Sequence, residues 1–128
     1  MVVGLVLVSH SEQLAAGLRE MVVELAPGEV AVAAAGGTDD GRFGTSYQRI
    51  AAAIAQADRG DGVVVLADLG SAVLTARTVL DDHPRDDVVL VDAPLVEGAV
   101  AAAVLASTGA SLADVSAAAE EAREAPKF

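Results

Sequence analysis

The stretch LVLVSHSEQL, residues 5–14, passes from an unbroken apolar run into Ser-His-Ser and then into the start of a helical repeat. A strand with one solvated face alternates apolar and polar residues. This run does not, which marks a parallel strand covered on both sides. Leu14, Leu18, Met21, Val22 and Leu25 follow at the three- and four-residue spacing of one helix face. Ser9 and Glu12 fit a capping box with Ser9 as N-cap, which places His10 in the first helical turn. The unit is strand, short polar junction, helix.

The same unit recurs along the chain. Val-rich runs at 2–8, 29–35, 62–67 and 87–91 predict four strands. Ile50, Ala53, Ile54 and Ala57, then Val73, Ala76, Val79 and Leu80, carry helical spacing between them, and two further helices are expected at 95–106 and 112–123. This alternation predicts an α/β fold of one domain over 1–128, an open, mainly parallel four-stranded sheet with helices on both faces, and a tail over 119–128 that frays. In such a sheet every strand ends at the same edge, where ligands bind. Ser9-His10-Ser11, Gly36-Gly37-Thr38-Asp39-Asp40, Asp68-Leu69-Gly70-Ser71 and Asp92-Ala93-Pro94 all fall there.

Composition narrows the function. With 128 residues and 53% apolar content, mostly Ala and Val, the chain is expected to build one aliphatic core. A net charge of −11 with only 8 Lys and Arg disfavours nucleic acid and anionic membrane as partners. The chain has no cysteine, so disulfides and thiolate chemistry are excluded. No signal peptide or membrane span is expected, since Asp92, Pro94 and Glu97 interrupt the apolar stretch from Val88 to Ala106, and a cytoplasmic protein is the default. There is neither a Walker motif nor a GxGxxG turn, so no nucleotide or other cofactor is expected on the chain itself, and the adjacent Asp39 and Asp40 lack the spaced third ligand that a metal requires.

What remains is a histidine beside a helix start. Free backbone N–H groups and the positive end of the helix dipole favour a neutral imidazole and, next to it, an anion. A neutral imidazole is a nucleophile, and a phosphoryl group taken up by His10 would lie near those N–H groups and the hydroxyls of Ser9 and Ser11. Its other ring nitrogen needs an acceptor, and Asp68, at the end of a neighbouring strand, is the candidate, although it could equally cap the helix opening at Gly70. Gly36, Gly37 and Thr38, with Gly70 and Ser71, could complete an amide-lined nest for phosphate oxygens. The other histidine, His83 in DDHPRDD, precedes the fourth strand and belongs to the opposite edge, as a solvated loop residue. No chemistry follows for Glu97.

LVLVSHS, followed by DLGSA and by DAPLVEGAVAAAVLASTGASL, resembles the DhaM family, the phosphotransferase subunits of phosphoenolpyruvate-dependent dihydroxyacetone kinases, whose first domain is similar to the mannose-family enzyme IIA. The resemblance implies a phosphotransferase that carries phosphoryl on Nε2 of His10 as a phosphohistidine intermediate. It takes the group from phospho-HPr and passes it to ADP bound on a DhaL subunit, which serves dihydroxyacetone (glycerone) held by DhaK. It also implies a homodimer, Asp68 as the residue orienting His10, and a site-lining loop that includes Thr38, Asp39 and Asp40. Some members continue into HPr-like and enzyme I-like domains, so here those donors are expected from elsewhere. An alternative with the same His10 chemistry is a mannose-type sugar-transport enzyme IIA that passes phosphate to a IIB domain. A receiver-like module fits poorly: His10 stands where a carboxylate pair is needed, and the only lysine is Lys127. An acidic carrier suits a basic donor face, with association expected to tighten at low salt.

Overall fold

A computed structural model describes residues 2–128. Four strands, β1 (Gly4–Ser9), β2 (Val32–Gly36), β3 (Val63–Ala67) and β4 (Val88–Leu90), form one sheet in the order β2-β1-β3-β4. Every pairing is parallel. The helices are α1 (Glu12–Leu25), α2 (Tyr47–Ala57), α3 (Gly70–Asp82), α4 (Leu95–Ala106) and α5 (Leu112–Glu121). The expected α/β architecture is the observed one.

Burial on both faces explains why the strands do not alternate. In β1, Leu5 and Leu7 pack with Leu18 and Val22 of α1, with Ala99, Ala102 and Ala103 of α4, and with Val115 and Ala119 of α5. Val6 and Val8 point the other way, toward Ile50 and Ala53 of α2 and Ala72 and Ala76 of α3. Alanine on the facing helices lets them sit close to the sheet, so the core closes without aromatic bulk.

The two central strands set the geometry of the site. Parallel register pairs Val8 of β1 with Ala67 of β3, and Ser9 of β1 with Gly36 of β2. The residues just beyond, His10 and Asp68, therefore emerge side by side at the carboxyl edge.

The segment expected to fray from 119 begins as regular structure: Ala119 is fully buried, α5 continues to Glu121, and a 3₁₀ turn follows over Ala122–Glu124. The polar sequence EEARE hides an anchor, since Arg123 donates to the Asp92 carbonyl and Lys127 pairs with Glu97 at 3.1 Å. The start of α1 also differs. Its N-cap is Ser11, whose hydroxyl accepts from the Leu14 N–H at 3.1 Å. Ser9 still belongs to β1, with its carbonyl taken by the Gly37 N–H and its hydroxyl by Asp68. His10 thus lies at the strand–helix junction, before the cap, and not in the first turn.

Candidate functional site

His10 is 8% exposed, and every polar atom it carries has a partner. Asp68 holds it at two points: Oδ1 lies 2.9 Å from Nδ1, and Oδ2 accepts the His10 backbone N–H at 3.0 Å. The Ser9 hydroxyl donates to Oδ2 at 3.0 Å, and the Leu69 N–H to Oδ1 at 2.8 Å. Burial alone would push the Asp68 carboxyl up, but the His10 backbone N–H, the His10 ring and the Ser9 hydroxyl outweigh it and hold the group below its ordinary range. Asp68 is therefore ionised at neutral pH.

An ionised carboxylate only accepts hydrogen bonds, so Nδ1 must carry the ring proton. In the neutral ring the lone pair then resides on Nε2. That atom lies 2.5 Å from Oγ of Ser71, in the first turn of α3, and takes the hydroxyl proton as acceptor. Asp68 does not cap α3; the N-cap is Leu69, whose side chain makes no capping bond. With Asp68 turned to His10, the N–H groups of Gly70 and Ser71 have no partner among the described residues. Two helices, α1 and α3, thus begin beside the ring.

The glycine-rich loop after β2 serves otherwise than expected. A Cβ on Gly36 would stand 2.5 Å from the Ser11 carbonyl and 2.8 Å from the Glu12 Cα, so glycine here lets the start of α1 cross β2 closely. Gly37, at φ 76°, donates its N–H to Ser9, and the Thr38 N–H goes to the Arg42 carbonyl. Those amides close the loop on itself and do not form an open nest. Thr38 also bonds Asp40 through its hydroxyl, and Asp39 accepts from Ser46. Of the residues expected around a phosphoryl group, the structure brings Ser9, Ser11, Gly70 and Ser71 to His10, and it engages Ser9 fully with Asp68 and the Ser11 N–H. His83 caps the far end of α3, exposed and away from this edge.

Sequence reasoning missed two residues. The Phe43 ring lies against His10, with centroids 5.4 Å apart and planes tilted by 33°. Arg49 of α2 reaches the Gly36 carbonyl and the Glu12 carboxylate. No periodicity marks either contact. A depression of about 510 Å³, lined by residues that include His10, Ser11, Gln13, Arg42 and Phe43, opens beside the ring. Among the described residues no group of His, Asp and Glu is placed to hold a metal, and no helix is long and apolar enough to cross a membrane.

Known proteins are similar to this chain along most of its length. The family model of EIIA-man, the PTS system fructose IIA component, matches residues 4–116. The chain is 43% identical over 105 residues to a phosphoryl donor subunit DhaM of PEP-dependent dihydroxyacetone kinase from Listeria innocua, a match covering 80% of this chain and 84% of the relative. It is 34% identical over 111 residues to the phosphotransferase subunit DhaM of a PTS-dependent dihydroxyacetone kinase from Lactococcus lactis, covering 87% and 88%. The crystal structure of EF1359, a protein of unknown function, superposes with a TM-score of 0.83 at 36% identity, covering 94% of this chain and 95% of that one.

Proposed function

Because the chain belongs to the EIIA-man family and, within it, to the DhaM subunits, we propose that it is the phosphoryl donor subunit of a phosphoenolpyruvate-dependent dihydroxyacetone kinase. It takes phosphoryl from phospho-HPr onto His10 and delivers it to ADP on a DhaL subunit. The observation that carries this reading is the polarised imidazole. Nδ1–H is fixed on ionised Asp68, and the Nε2 lone pair lies at the start of α3.

Transfer follows from that arrangement. The Nε2 lone pair attacks the donor's phosphorus; the new Nε2–P bond forms as the donor's N–P bond breaks, and the donor imidazole leaves with its electron pair. The Ser71 hydroxyl, released from Nε2, turns to a phosphoryl oxygen, and the free N–H groups of Gly70 and Ser71 and the Ser11 hydroxyl supply further donors. Nδ1 keeps its proton throughout, so Asp68 stabilises the positive charge that the ring gains on phosphorylation. In the second step a terminal oxygen of ADP attacks the same phosphorus, the Nε2–P bond breaks, and neutral His10 is regenerated with ATP. The family resemblance supports a homodimer acting in the cytoplasm.

The test is intact-protein mass after incubation with phosphoenolpyruvate, enzyme I and HPr, followed by a chase with ADP-loaded DhaL. One acid-labile phosphoryl adduct is expected, lost in the chase with formation of ATP and absent from a folded His10→Ala protein. An adduct that survives the chase and passes to a transporter IIB domain would assign the chain to sugar transport. Phosphorylation of the His10→Ala protein would overturn the carrier role.

A further inference from the structure

The segment between β2 and α2 carries Phe43 to the site, yet Phe43 is 76% exposed and cannot anchor it by burial. Internal bonds, such as Thr38 to Arg42, give the segment a shape without fixing it to the rest of the molecule. That attachment is polar. Gly44 donates its N–H to the His10 carbonyl at 2.9 Å, and the hydroxyls of Thr45 and Thr75 meet at 2.8 Å. The broadest tie is Arg49. Its Nη1 donates to the Gly36 carbonyl at 2.8 Å and to Oε2 of Glu12 at 3.2 Å, and its Nη2 to the Asp39 carbonyl at 3.3 Å. A single guanidinium therefore joins the end of β2, the first turn of α1 and the Phe43 segment.

Two facts limit what Arg49 can be doing. Three of its five N–H donors, both on Nη1 and one on Nη2, go to two carbonyls and a carboxylate, so the plane of the guanidinium is set by the protein. The Glu12 carboxylate is 58% exposed, so the ion pair itself contributes little to stability. Its distinguishing property is planar geometry, which lets one side chain hold several acceptors in fixed relation. Asp68 and Ser71 hold the ring of His10 at Nδ1 and Nε2, but the Ser71 bond must be released when Nε2 attacks, and a ring then held at one atom can still swing about that bond. Phe43 limits the swing from one side.

We propose that Arg49 is a positioning residue for phosphoryl transfer: by tying the Phe43 segment to β2 and α1 it keeps the His10 ring and backbone aligned, so that Nε2 meets the incoming phosphorus in line. This inference rests on the phosphoryl-carrier reading. It is tested by single-turnover phosphorylation at saturating phosphohistidine donor protein, together with NMR of the His10 ring. The wild-type chain is measured first, and if it takes up no phosphoryl group, the carrier reading itself fails.

With an active wild type, Arg49→Met is expected to lower the saturated rate by about tenfold or more, with the protein still folded, because small misplacements of a reacting atom are costly. The His10 ring signals are expected to broaden or split. Arg49→Lys keeps the charge but not the fork, and is expected to remain slow. Wild-type rates and ring signals in Arg49→Met, or full recovery in Arg49→Lys, would overturn the positioning role while leaving the carrier reading intact. If Arg49→Met does not fold, Phe43→Ala tests the same consequence with all three Arg49 bonds kept, and an unchanged ring spectrum there would also overturn it.

Discussion

At the scale of single residues, the site depends on an asymmetry between the two ring nitrogens of His10. Asp68 creates it by accepting four hydrogen bonds, one of them from Nδ1. An asparagine has one acceptor oxygen and one donor nitrogen in its place, so it cannot serve all four groups and loses the negative charge that supports the charged ring. Asp68→Asn is expected to slow phosphorylation of His10 by a factor on the order of 10²–10⁴, as loss of an orienting carboxylate does elsewhere. Rapid-quench measurement of the phosphoprotein at saturating donor would check this; an unchanged rate would remove Asp68 from the mechanism. His10, Asp68 and Ser71 were legible in the sequence because each follows directly on a strand or opens a helix. Phe43 and Arg49 were not, since their roles depend on where a loop of polar residues folds back.

At the scale of elements, the strand-to-helix junction divides its work between two serines. The capping-box pattern favoured Ser9, which stands three residues before Glu12, yet a serine whose carbonyl completes a strand cannot also begin a helix. Ser11 lies past the end of the ladder and takes the cap. The consequence is a separation of effects. Ser11→Ala is expected to cost about 1 kcal/mol of stability through the lost N-cap. Ser9→Ala is expected to slow transfer more than Ser11→Ala does, because it takes one donor from Asp68. Urea unfolding and single-turnover rates on both variants would show the pattern, and the reverse pattern would restore Ser9 as the cap. The strands and helices themselves were readable because burial on both faces leaves an uninterrupted apolar run, and single-face burial leaves a 3.6-residue repeat. The anchoring of the segment after α5 was not, because Arg123 bonds a partner some thirty residues away, the Asp92 carbonyl.

At the scale of the whole molecule, acid stability follows from several carboxylates at once. The backbone N–H of Gly60, followed by Arg85, lowers Asp58; Arg85 lowers Asp87; the backbone N–H of Glu97 itself, followed by Lys127, lowers Glu97; and Asp68 is lowered at the site. A group depressed in the folded state contributes stability above its unfolded pKa and loses it as pH falls through its folded value. Self-repulsion acts in the opposite direction, since the net charge of −11 at pH 7 is relieved on approach to the isoelectric region near 4.3. The urea midpoint is therefore expected to hold or rise from pH 7 to about 4.5 and to fall steeply below about 4. A midpoint that stayed level down to pH 2 would contradict the lowered carboxylates.

The strand order has one more consequence, in time. β1 and β3 are neighbours in the sheet but are separated in sequence by the whole of α1, β2 and α2, and the His10–Asp68 contact spans 58 residues. Closing so long a loop is entropically costly and slow compared with forming the local helices. During refolding, helical signal should return before the protein can accept a phosphoryl group, and the moment at which His10 becomes reactive marks the moment at which the central pair of strands has found its register.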